Sequence, residues 1–316
     1  MNPDVTLSRR AFILSQTALL CSGEQSLKAV KQPEHPIDVI DCHTHFYDPS
    51  RPQGVPWPSK SSTLYRTVLP VHLKSLRKFH PVRGTVIVEA SQWIEDNDWL
   101  LELAAADRFI VGIVGRLPLG SEDFKGHLKK YSKHTKYRGI RMSAANVTAV
   151  LESGDVHDFE SLSDHDCSLD INGNFESLNA AAALAKRIPS LRIIINHIGN
   201  VKIDNSLPPA EWQAAVLNAS QFENVFCKIS GLVEGASRDG RKAPDSLALY
   251  QPYLDVVWNA FGDHRVIYGS NWPVSESAAD YETLQRIAME YAAAKGIESA
   301  MRFCSLNAKA AYKWLA

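Results

Sequence analysis

The sequence predicts a single α/β domain, a (β/α)8 TIM barrel, from three observations. Apolar strand-like runs alternate eight times with amphipathic helical stretches over residues 36–316. Each run is nearly continuously apolar, the pattern of a parallel strand buried on both faces. No Gly-x-Gly-x-x-Gly follows any of them, so an open dinucleotide-binding sheet lacks its fingerprint. The eight runs are Ile37–His45, Gly84–Ala90, Phe109–Gly115, Tyr137–Met142, Cys167–Asn172, Leu191–His197, Asn224–Ile229 and Arg265–Gly269. Helical stretches between them include Trp99–Asp107, Asp123–Lys133, Phe175–Ile188 and Glu211–Ala219. Two connections exceed what a barrel needs: Tyr47–Pro70, stiffened by prolines and carrying Trp57, and Gly231–Asp245, carrying Glu234, Arg238 and Arg241. Both follow carboxyl ends of strands, the face where barrels place chemistry, so both are expected to be substrate walls.

Composition narrows the function. With 34 Lys+Arg against 35 Asp+Glu in 316 residues, the net charge of −1 gives no field for gripping nucleic acid. A hydrophobic content of 45% with 17 Gly and 16 Pro excludes collagenous and wholly disordered classes. Cys21, Cys42, Cys167, Cys227 and Cys304 form no CxxC pair, which argues against both a disulfide framework and a thiolate zinc site. Residues 1–35 are read as an address and linker. Ser8-Arg9-Arg10-Ala11-Phe12-Ile13 opens a short apolar run to Cys21, the order of a twin-arginine export signal. That run is too short for a transmembrane helix, so a periplasmic domain without stable membrane insertion is expected; without export it is cytoplasmic. A homo-oligomer is compatible with the sequence.

Polar residues collect at the expected strand ends. Asp41, His43 and His45 alternate, so in a regular strand they share one face. At the barrel mouth, two imidazoles there suit a divalent metal, or else form a structural pair. Glu89, in phase with Thr85 and Ile87, is a ligand, a general base, or the partner of a buried arginine. Arg141 supplies a fork that can hold a substrate carboxylate or carbonyl, or that same Glu89. His197 ends the sixth run and suits a ligand or acid/base role. Lys228 either orients a substrate oxygen or reaches solvent. Gly269 permits close backbone approach, and Trp57, Trp93 and Trp272 offer flat walls to a ring-shaped substrate.

Ile40-Asp41-Cys42-His43-Thr44-His45, Arg138-Gly139-Ile140-Arg141, Ile195-Asn196-His197-Ile198-Gly199 and Tyr268-Gly269-Ser270-Asn271-Trp272-Pro273-Val274 occur in this order along the chain. Together they resemble the amidohydrolase superfamily, in the amidohydrolase-related branch that includes 2-pyrone-4,6-dicarboxylate lactonase, L-fuconolactonase and L-rhamnonolactonase. The resemblance spans the whole expected domain and implies a hydrolase opening a small lactone or related carboxylic substrate. It makes His43, His45 and His197 active-site residues and Arg141 a substrate ligand. The branch holds metal-dependent and metal-free enzymes; a divalent cation, zinc or manganese, would be held by His43, His45, His197 and Glu89. Two departures stand out. The family's eighth strand normally ends Gly-Ser-Asp-Trp-Pro, and here Asn271, which cannot ionise, replaces the aspartate that activates water. The fifth run, Cys167–Asn172, lacks the histidine common in binuclear members. Three readings follow: Asn271 positions water while Glu89, Asp41 or a histidine is the base; the barrel performs decarboxylation or elimination instead; or it only binds a small acid. Lactone hydrolysis is the expectation carried forward.

Overall fold

A computed structural model describes residues 37–314, so the export address expected over residues 1–35 lies outside the described residues. Among the described residues, eight strands form one parallel sheet: β1 (Val39–Thr44), β2 (Val82–Val88), β3 (Ile110–Gly115), β4 (Tyr137–Ser143), β5 (Ser168–Asn172), β6 (Ile193–Ile195), β7 (Val225–Ile229) and β8 (Val266–Tyr268). Each pairs with its sequence neighbour. The ring closes where Thr44 bridges Trp272 and the His45 N–H donates to the Trp272 carbonyl at 2.9 Å. The expected helical stretches are present as Asp96–Ala106, Phe124–Tyr131, Glu176–Arg187 and Ala210–Ser220. Glu176–Arg187 illustrates why: it opens on Glu176, ends on Lys186 and Arg187, and buries Leu178, Ala181, Leu184 and Ala185 along one face.

Two apolar layers hold the barrel. Ile87, Ile113, Ile140 and Leu169 pack outward against the helices, while Cys42, Val86, Val88, Val114, Ile194, Phe226 and Ile267 fill the interior. Helix Asn307–Tyr312 packs Ala308, Ala311 and Tyr312 onto that inner cluster. Arg138 and Arg192 donate to the carbonyls of Tyr312 and Ala311, each at 2.7 Å. With its interior filled by side chains, this barrel leaves its chemistry to the mouth at the carboxyl ends. Cys42, Cys167, Cys227 and Cys304 are free and buried, and no helix among the described residues is long and apolar enough to cross a membrane.

Two expected strand phases are corrected. The β1–β2 register shifts between Asp41 and Thr44, breaking strict alternation. His45 therefore reaches the mouth, while His43 stays wholly buried against His45 and His197, off the cavity lining, and Asp41 does not join them. Asp41 instead accepts from the Ser270 N–H at 2.9 Å and the Tyr281 hydroxyl at 2.9 Å, pinning β1 to the turn after β8. In β2, Val86 and Val88 point inward and Ile87 outward, so Glu89 reaches the mouth by lying past the strand's last residue.

Candidate active site

The mouth encloses a cavity of about 500 Å³. His45, Glu89, Arg141, His197 and Asn271 line it, so five of the expected residues meet on one wall system. Both long connections contribute, the first through Pro56 and Trp57 and the second through Glu234. The Trp57 ring lies 6.0 Å from that of His45.

The histidines form a packed group whose proton positions follow from their partners. The His43 ring is 5.0 Å from His45 and 4.3 Å from His197. Lys228 Nζ lies 3.2 Å from His43 Nδ1; an ammonium only donates, so Nδ1 accepts and the ring proton sits on Nε2. That Nε2 has no partner among the described residues. His45 Nδ1 lies 2.9 Å from the Val88 carbonyl, which only accepts, so His45 carries its proton on Nδ1 and presents Nε2 as an acceptor. His197 Nδ1 pairs with the Ser230 hydroxyl at 2.9 Å. Burial, reinforced by the Lys228 and Arg141 charges, holds His43 and His197 well below the usual histidine range and His45 at about 3. All three are neutral at pH 7.

Arg141 is fixed by Glu89. Its Nε donates to Glu89 Oε1 at 3.0 Å and its Nη2 to the Glu89 carbonyl at 2.8 Å, which uses two of five donors. Burial pushes the Glu89 carboxyl up and Arg141 opposes that shift.

Asn271 sits in the left-handed region (φ 57°), where asparagine is among the few tolerated side chains. Its Oδ1 lies 3.2 Å from His45 Nε2, and its Nδ2 donates to Glu234 Oε1 at 2.8 Å. Glu234 was not singled out for chemistry by the sequence. It lies on the short helix Leu232–Ala236 inside the connection after β7, with no strand-end spacing to mark it. Its other oxygen, Oε2, is buried without a partner among the described residues. Burial raises its pKa to about 7, offset only by its own backbone N–H and Asn271.

Three expected substrate contacts lie elsewhere. Lys228 is not on the wall but wholly buried in β7, paired with Asp170 at 2.7 Å. Trp272 is 1% exposed, with its indole N–H donated to Glu276 at 2.7 Å, and acts as core. Trp93 lines a small adjacent crevice with Arg51 and Asp96 instead of the main cavity.

Three of the four expected metal ligands are otherwise engaged in this structure, and the fourth, His197, has its Nδ1 on the Ser230 hydroxyl. His43 Nε2 bears a proton where a metal needs a lone pair, His45 Nε2 faces Asn271, and Glu89 is committed to Arg141. Among the described residues no group of three His, Cys, Asp or Glu is arranged to hold a metal ion. The Lys228 and Arg141 charges also act on these imidazoles and disfavour a further cation beside them.

Close packing builds this layer. A Cβ at Gly269 would lie 2.8 Å from His43 Cβ and 3.2 Å from Lys228 Cδ; one at Gly231 would lie 2.8 Å from His197 Cβ. Gly269→Ala is therefore expected to lower stability by about 1–3 kcal/mol and to displace His43. A urea titration of the variant checks this, and an unchanged midpoint would contradict the close approach.

The sequence model of the amidohydrolase family matches residues 40–314. L-fucono-1,5-lactonase of Burkholderia ambifaria is 32% identical over 250 residues, covering 77% of this chain and 82% of that protein. L-fucono-1,5-lactonase of Burkholderia multivorans is 29% identical over 265 residues, covering 80% and 88%. The crystal structure of an amidohydrolase from Burkholderia multivorans with bound zinc superposes with a TM-score of 0.76 at 23% identity, covering 88% of this chain and 99% of that one.

Proposed function

The chain belongs to the amidohydrolase family, and on that premise we propose that it hydrolyses a small lactone, the 1,5-lactone of a sugar acid, to the open hydroxy acid. One observation carries the reading: a guanidinium locked by Glu89 and neutral imidazoles share one cavity of small-molecule size, about 500 Å³. The 32% identity to an L-fucono-1,5-lactonase supports a sugar-acid substrate. The lining supports it too, because Ser91, Gln92, Ser143, Asn172 and Asn200 offer hydroxyls and amides to a polyhydroxylated ring.

In this mechanism Arg141 binds the carbonyl oxygen and strengthens its hold as negative charge develops there. Pre-formed donors of this kind need no reorganisation during reaction. His45 and His197 orient the ring, and Trp57 covers it. A lactone is activated enough for attack by water under this polarisation, and the donor set gives no reason to route a step through a metal.

The test is proton release from a panel of 1,5-lactones of sugar acids and from aromatic-derived lactones, with and without chelator. Turnover of sugar-acid lactones undiminished by chelator is expected. Release of carbon dioxide without ring opening, or turnover abolished by chelator and restored by a divalent metal, would contradict the reading in its chemistry or its metal independence respectively. Export remains our proposal for Arg9 and Arg10: replacing both with Lys is expected to retain the protein in the cytoplasm, checked by cell fractionation.

A further inference from the structure

We propose that Glu234 is the general base of this barrel, doing from the connection after β7 what Asn271 cannot do from the turn after β8. The assignment rests on the hydrolytic reading above and adds to it the group that takes the water's proton.

Elimination and geometry converge on this side chain. Glu89 is neutralised by Arg141 at 3.0 Å, and Asp41 faces away from the cavity toward Ser270 and Tyr281. His43 is wholly buried with Lys228 on its Nδ1, His45 has Asn271 against its Nε2, and His197 Nδ1 is paired with the Ser230 hydroxyl. Glu234 lines the same cavity, hydrogen-bonds the very residue that stands in the aspartate's place, and keeps Oε2 unpartnered. A buried carboxyl with one oxygen unpartnered is costly to keep ionised, which favours its taking up a proton.

Asn271 connects Glu234 to His45, and its single amide N–H₂ cannot serve both ends. As placed, Nδ2 donates to Glu234 at 2.8 Å while Oδ1 faces His45 Nε2, itself an acceptor in the neutral ring, at 3.2 Å. Turned over, the amide would donate to His45 and its oxygen would accept a hydrogen bond from the neutral Glu234 carboxyl. The amide orientation is thus tied to whether Glu234 holds a proton. An asparagine here orients the base and signals its state without competing for the proton.

The step balances with water alone. The water oxygen bonds to the lactone carbonyl carbon as its proton passes to the Glu234 carboxylate. The tetrahedral intermediate collapses, the ring C–O bond breaks, and the leaving ring oxygen takes that proton from Glu234 to become a hydroxyl. That transfer restores the Glu234 carboxylate, and the new carboxyl group then ionises and releases one proton to solvent.

The titratable and charged groups around Glu234 are His45 through Asn271, and Glu89, Arg116, Arg141 and His197 on the cavity wall. Tyr250 on helix Leu247–Phe261 is pushed up by burial and by Glu234 itself, and Glu276 on the turn Val274–Ser277 is tied to Arg66. A base whose pKa is raised to about 7 must be ionised to work, so kcat should rise with pH through about 7 and then level. Glu234→Gln keeps the shape and the contact with Asn271. It should lower kcat by about 10²–10⁴-fold, leave KM nearly unchanged and erase the acid limb. Adding Asn271→Asp to Glu234→Gln places a carboxylate at the family's position and should recover part of the lost kcat. A Glu234→Gln kcat within threefold of the native enzyme, or a native profile flat from about pH 5 to 9, would overturn the assignment. The native profile keeps the test open should the variant fail to fold. Native protein silent on every lactone would instead overturn the hydrolytic reading, and the assignment with it.

Discussion

Lys228→Met is expected to destabilise the barrel by about 3–5 kcal/mol. Lys228 and Asp170 are both fully buried, and their 2.7 Å contact crosses the barrel interior between β7 and β5. Removing the ammonium leaves Asp170 with only the Tyr312 hydroxyl, at 3.1 and 3.0 Å to its two oxygens, against the full desolvation penalty of a carboxylate. Two consequences separate this from ordinary loss of packing. Burial already raises the Asp170 pKa and Lys228 opposes that shift; without Lys228 the group takes up a proton more readily, so the stability loss should shrink as pH falls. Neutralising the partner as well, in Lys228→Met/Asp170→Asn, should recover more than half the loss. Urea unfolding at pH 7 and pH 5 measures both effects. A loss below about 1 kcal/mol at pH 7, the range of exposed pairs, would mean that the pair does not hold the barrel interior together.

Arg141→Met should lower kcat/KM by about 10²–10³-fold, because Glu89 holds this guanidinium on the cavity wall and leaves it three donors to spare. The same change leaves Glu89 buried without the group that opposes its upward pKa shift, so a stability loss accompanies the kinetic one. The double variant Arg141→Met/Glu89→Gln separates the two. Stability should return, since no carboxylate is then stranded, while kcat/KM should stay low. Recovery of activity along with stability would assign Arg141 a purely structural part.

The eight strands and the helices between them were legible because buried parallel strands are apolar on both faces and helices repeat their apolar face, whatever the substrate. The strand-end motifs also located His45, Glu89, Arg141, His197 and Asn271 around one cavity. What escaped reading is where tertiary structure overrides local period. The shift in the β1 register turns Asp41 toward Tyr281, and Glu89 enters the mouth from beyond its strand. Lys228 looked like a group for substrate or solvent because a lone lysine in an apolar strand does not announce its partner; Asp170 lies 58 residues earlier. Trp272 looked like a wall, yet its N–H found Glu276 four residues on and its ring went into the core. Glu234 lies on a five-residue helix within an irregular connection, where no periodicity assigns a direction.

Lactone opening by water leaves a mark that no rival chemistry on this barrel shares. Single-turnover reaction of a sugar-acid 1,5-lactone in ¹⁸O-labelled water, followed by mass spectrometry of the product, should give the intact hydroxy acid with one ¹⁸O in its new carboxylate. A product that has lost carbon dioxide, or a hydroxy acid carrying the label on its released hydroxyl, would contradict attack of water on the carbonyl carbon.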